Sequence, residues 1–126
     1  MEVFRLSQEK WSKILSGKGA ASKGFRWNSF GTEIIYTASN RSLAMAEVAV
    51  HFTVATIPKD YMMITIFIPD DTTMKIINEN KYCLLRIPSV VTKGDFNILI
   101  NPFHSEFSKI CIINTEPFPF DTRIFR

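Results

Sequence analysis

The sequence predicts an α+β fold, and three observations carry that prediction. The stretch Leu43 to Val54 is apolar right around a helical wheel. Most strand-like runs follow it, from Tyr61 onward, so helix and strands are segregated along the chain rather than alternating as in a βαβ unit. The chain has 126 residues, 46% of them hydrophobic, which suits a single domain over residues 1–126 with a modest core.

Val3 to Leu6 reads as the first strand. Ser7 is a cap candidate for a short N-terminal helix whose apolar stripe is Trp11, Ile14 and Leu15. Ser16 to Gly24 is a loop, and its Gly17 and Gly19 lack the spacing of a phosphate-binding P-loop. Gly24 to Gly31 sets Arg26, Trp27 and Asn28 between two glycines, and Ile34 to Thr37 is a short strand. The long helix starts near Ser39 to Ser42, where Ser and Asn side chains supply capping oxygens. An all-round apolar helix is expected to be buried. Between Leu43 and Val54 its only ionisable side chains are Glu47 and His51, one turn apart on one flank. A carboxylate there must find a partner, take up a proton or face a polar cavity. Pairing with His51 at a solvated flank and a functional role are both open at this point.

Ile57 to Asp60 makes a turn, and Tyr61 to Ile68 is a nearly continuous apolar run, as expected of a strand covered on both faces. Further strands are expected at Thr73 to Ile77, Tyr82 to Ile87, Phe96 to Ile100 and Ile110 to Ile113, with one helical turn at Ser105 to Ser108. The proline-broken tail from Pro117 to Asp121 is expected to pack along a sheet edge. The total is six or seven strands, one long helix and one short one.

Composition excludes several classes. Net charge is +3 and the cations are scattered, so no basic stripe points to nucleic acid. No apolar run approaches the length of a membrane span, and the N-terminus lacks the apolar core of a signal peptide. A soluble, cytoplasmic protein is expected. Cys83 and Cys111 lie in apolar runs and read as buried free thiols. There is no CxxC and no Cys/His grouping at zinc spacing, so no metal is expected. GxGxxG and GxSxG are absent too, and His51 and His104 are too isolated in sequence to argue a catalytic triad.

Taken in order, several motifs resemble those of the RES domain family over nearly the whole chain. They are Phe4-Arg5-Leu6, Ser16-Gly17-x-Gly19-Ala20, Gly24-x-Arg26-Trp27-Asn28-x-x-Gly31-Thr32, Ile35-Tyr36-Thr37, Ser42-Leu43-Ala44-x-x-Glu47-Val48-x-Val50-His51, Leu85-Arg86-Ile87-Pro88-Ser89-Val90-Val91, Asn97 through Pro102 with His104, and Pro117-Phe118-x-Phe120-Asp121-x-Arg123. The family is named for an arginine, a glutamate and a serine, which by motif position are Arg26, Glu47 and Ser89. The resemblance implies an ADP-ribosyltransferase-like split β-sheet core with a cleft for NAD. It implies the toxin of a bacterial toxin–antitoxin pair, which depletes NAD by cleaving the nicotinamide–ribose bond with water or phosphate as acceptor. It further implies an antitoxin partner with an Xre-like helix-turn-helix domain, and pairing into a homodimer to which Phe118 to Phe125 could contribute. Two alternatives stand beside this: a catalytically impaired module acting only through protein binding, and a protein ADP-ribosyltransferase.

By the same resemblance Glu47, Arg26 and Ser89 are catalytic, and Arg26, Tyr36, Trp27, Asn28 and Ser42 hold NAD. The residue types suit the task. Arg26 offers a planar fork of donors to a diphosphate, and Tyr36 offers a ring face to nicotinamide. The carboxylate of Glu47 would stabilise the oxocarbenium-like ribose as nicotinamide leaves. Taken singly, each has an ordinary structural reading: Arg26 a surface cation stacked on Trp27, Tyr36 a core residue with its hydroxyl at the rim, Ser89 a strand end. One departure from the family is the stretch Asp70 to Cys83, which is shortened where relatives carry a segment that helps wall the cleft.

Overall fold

The computed structural model describes residues 1–15, 33–75 and 82–125. Seven strands form one sheet among them: β1 (Glu2–Gln8), β2 (Ile35–Ala38), β3 (Tyr61–Phe67), β4 (Met74–Lys75), β5 (Leu84–Pro88), β6 (Phe96–Ile100) and β7 (Cys111–Pro117). A single α-helix among the described residues, α1 (Arg41–Ala49), follows β2. The strand order is β4-β5-β6-β2-β1-β3-β7, with every neighbouring pair antiparallel except the short parallel contact of β4 with β5.

The sheet is split. β1 and β3 pair along their whole length, from Glu2 opposite Phe67 to Gln8 opposite Tyr61. β2 and β6 pair from Ile35 opposite Ile100 to Ala38 opposite Asn97, and the buried Thr37 Oγ1 adds a bond to the Ile98 carbonyl at 2.7 Å. Between these halves the ladder has one pair, Phe4 opposite Ala38. One pair makes a short junction between two longer ladders.

Alternation along the strands sends side chains to two separate clusters. Val3, Ile35, Ile64, Ile66, Leu84, Ile98 and Ile100 build one face, with Cys83 and Ile110. Phe4, Leu6, Ala38 and Met63 build the other with Leu43 and Ala44 of α1. β3 is covered on both sides as its apolar run predicts, Met63 through Ile66 all being buried.

The helix is shorter and less enclosed than its pattern suggested. Asn40 caps it, its Oδ1 accepting the Leu43 N–H at 2.8 Å. Past Ala49 the chain tightens into i−3 bonds, His51 N–H to the Val48 carbonyl and Phe52 N–H to the Ala49 carbonyl, and then turns away. Val50 and Val54 therefore lie beyond the helix, 60% and 57% exposed. The short N-terminal helix is a single 3-10 turn at Glu9–Trp11, and another forms at Ser105–Lys109. The tail turns inward at Phe118, whose N–H reaches the Tyr61 carbonyl at 2.9 Å, and Phe118 and Phe120 pack on the helix-side cluster. Both cysteines are free, but only Cys83 is buried; Cys111 opens the edge strand β7 and is exposed, because that strand has a neighbour on one side alone. No described helix is long and apolar enough to cross a membrane.

Candidate active site

A cavity of about 720 Å³ lies where α1 crosses the split sheet. Tyr36 of β2, Asn97 of β6, Tyr61 of β3 and Arg5 of β1 line it, with Glu47 and His51 above them. That is room for a ligand of drug size, bounded by a few polar groups among apolar ones. Burial pulls the Arg5 guanidinium below its ordinary value. Burial first, and then Asp60, push the Tyr61 phenol up, so that ring stays protonated and presents a neutral face. Tyr61 is steadied by Phe120, with ring centroids 5.8 Å apart, and by Phe52 at 6.1 Å.

Glu47 is the best-defined polar group of the site. It is half-buried in the last turn of α1, and its Oε1 accepts two bonds, from Ser89 Oγ at 2.6 Å and from Asn97 Nδ2 at 2.8 Å. Ser89 is itself committed. Its Oγ accepts the backbone N–H groups of Val91 at 3.1 Å and Thr92 at 2.9 Å, so its proton has one direction left, toward Glu47. The turn that aims it is closed by the Ser89 N–H to the Asp95 carbonyl at 2.8 Å, and Gly94 takes the positive φ of 98° that this β5–β6 connection needs. Asn97 arrives from the other side because β6 alternates, sending Asn97 and Leu99 to the helix face and Ile98 and Ile100 to the opposite cluster. Both donors fall on one oxygen. Among the described residues Oε2 carries no bond and remains available to a ligand.

Glu47, Ser89 and Tyr36 thus come together at one cavity, Ser89 through its bond to Glu47. Ser42 does not join them; it is exposed in the first turn of α1. Arg26, Trp27 and Asn28 lie outside the described residues. Glu47 is held by Ser89 and Asn97 rather than by His51, which is exposed at the cavity edge. Asn97 was not singled out in the sequence. Its signal was a lone amide on an otherwise apolar strand, Phe96 to Ile100. The structure also gathers Cys83, His104 and Glu106, whose spacing in sequence hid them.

Residues 2–81 match the RES domain family. The chain belongs to that family. Among RES relatives, the Prs ADP-ribosylating toxin of Sphingobium sp. (strain YBL2) is 28% identical, over 89% of this chain and 87% of the relative. A protein named Toxin Res, from Yersinia enterocolitica, is 28% identical over 98% of this chain and 99% of its own length. That alignment runs over 152 positions against a chain of 126 residues, so the relative carries stretches with no counterpart here. The RES fold of this chain also resembles a chain of the M. tuberculosis MbcT–MbcA toxin–antitoxin complex, with a TM-score of 0.72 over 98% of this chain and 86% of that one, at 15% identity.

Proposed function

We propose that this RES chain is the toxin of a bacterial toxin–antitoxin pair and that it depletes NAD by breaking the nicotinamide–ribose bond. The observation that carries the reading is the Glu47 carboxylate, which lines the cavity, is fixed at Oε1 by Ser89 and Asn97, and has no bond at Oε2 among the described residues. As the ribose C1′–N bond breaks, its electron pair passes to the nicotinamide ring nitrogen, which loses its positive charge. Positive charge moves onto the ribose. A carboxylate already held in place stabilises that charge more than the uncharged sugar. Water or phosphate then adds to C1′, water giving up a proton. Tyr36 supplies a ring face for nicotinamide, and the Arg5 guanidinium adds positive charge beside the cavity for the diphosphate. Arg26, Trp27, Asn28 and Ser42 are proposed on motif position alone. Toxin names among the relatives, and the antitoxin in the MbcT–MbcA complex, support an antitoxin partner, which we assign to the Xre-like helix-turn-helix class.

A second reading has one specific support: a relative is named an ADP-ribosylating toxin, so the acceptor here could be a protein side chain. The test is nicotinamide release from NAD by the purified chain, with buffer alone, with phosphate, and with a cell extract as the source of protein acceptors. Release in buffer or phosphate supports NAD depletion. Release that requires the extract and labels a protein supports the transferase. No release under any condition contradicts both and leaves a binding module.

A further inference from the structure

We propose that Cys83, His104 and Glu106 form a binding site for a divalent ion of the zinc class, on the sheet face away from Glu47. The donors are a thiol, an imidazole and a carboxylate, the set a borderline-soft ion favours. One ligand atom from each lies within 4.8 Å of the others. His104 Nδ1 and Glu106 Oε2 stand 3.7 Å apart. Around a tetrahedral zinc with bonds of about 2.0–2.3 Å, ligand atoms sit about 3.3–3.8 Å from one another. One edge of the tetrahedron is therefore at its bound length, and the thiol has at most about one ångström to close.

The surroundings suit an ion. Cys83 is fully buried, in the same cluster that Phe107 packs against, whereas the His104 and Glu106 side chains are 19% and 26% exposed. The site thus has an apolar floor and a partly exposed side, where an ion would enter and a water would serve as fourth ligand. The donors are also held in advance. Glu106 Oε2 accepts the Thr73 N–H at 3.1 Å and the Thr73 hydroxyl. His104 caps the 3-10 turn, its Nδ1 accepting the Glu106 N–H at 3.1 Å, so that nitrogen presents a lone pair rather than a proton. Cys83 is anchored through its carbonyl, which accepts the Asn101 N–H at 2.8 Å. The Thr73 bonds to Glu106 and the Asn101 bond to the Cys83 carbonyl are outer contacts of the kind that orient ligands and strengthen metal sites. An ion would take the Nδ1 lone pair in place of the Glu106 N–H, and the Cys83 sulfur would bind as thiolate, its proton leaving to solvent. Three stretches meet there: Thr73 before β4, Cys83 before β5, and the 3-10 turn before β7.

The test uses the full chain, stripped with a chelator and titrated with cobalt(II), then zinc. We expect one ion per chain, a near-ultraviolet thiolate-to-cobalt charge-transfer band, displacement of cobalt by zinc, and a higher melting temperature with zinc. Cys83→Ser should abolish the band, and Cys111→Ser, at the exposed thiol, should leave it unchanged. Glu106→Gln, a change near the surface that keeps the decision independent of core packing, should weaken cobalt binding by about 10-fold or more. A wild-type chain with no band overturns the proposal. So does a band that survives Cys83→Ser, or a cobalt affinity unmoved by Glu106→Gln.

Discussion

Glu47 stands in the last turn of α1, the end at which a helix dipole disfavours an anion. Two donors, Ser89 and Asn97, meet that anion on one oxygen. Their contributions separate by mutation. Ser89→Ala leaves the Val91 and Thr92 amides without their acceptor as well as removing a donor to Glu47. It should lower stability by about 1–2 kcal/mol, read from the denaturant midpoint. Asn97→Ala removes a bond to Glu47 alone among the described residues, so its effect should appear in turnover, lowered on the order of 10-fold to 100-fold by carboxylate misplacement, while the midpoint moves little. A residue of the opposite kind is Thr65, buried in β3 with a hydroxyl that has no partner among the described residues. Thr65→Val keeps its shape and removes that unpaired group, so it should raise stability by about 1 kcal/mol; a drop of the same size would contradict the assignment.

At the scale of elements, α1 depends on its cap. Asn40→Ala leaves the Leu43 N–H without its 2.8 Å acceptor and should cost about 1 kcal/mol, measured by thermal unfolding. The end of α1 was the harder boundary to read, because the apolar pattern runs on through Phe52 and Val54 while the backbone turns off after Ala49. Periodicity records which residues are apolar; it does not record where i−4 bonds give way to i−3 bonds. The aromatic tail over β3 yields a pH prediction. Burial raises the Tyr61 phenol above 10.0, so the folded chain binds that proton more tightly than the unfolded one does. The resulting stability is fully present below pH about 10 and is lost as pH rises through the folded value. Tyr61→Phe should flatten that alkaline limb in a pH series of melting temperatures; an unchanged slope would remove Tyr61 as its cause.

For the whole molecule, the decisive feature is a sheet whose two halves meet at one residue pair, with α1 and a cavity over the junction. Much of this was legible. β3 and β6 announce themselves by continuous or alternating apolar runs, and Glu47 and Ser89 by their places in ordered motifs. The bond between them was not, since it joins residues forty-two positions apart through a turn whose direction depends on Gly94. The gathering of Cys83 with His104 and Glu106 was hidden for the same reason: β5 and β6 separate them in sequence and their pairing reunites them. The proposed function rests on one carboxylate, Glu47, over the split. The direct measurement is nicotinamide release from NAD by the wild-type chain and by Glu47→Gln, with melting temperatures taken on both. Gln can accept the same two bonds and removes an anion from a helix C-terminus, so the variant should melt no lower, while release should fall about 100-fold to 1,000-fold. Equal release by the two chains, or none by the wild type, would contradict it.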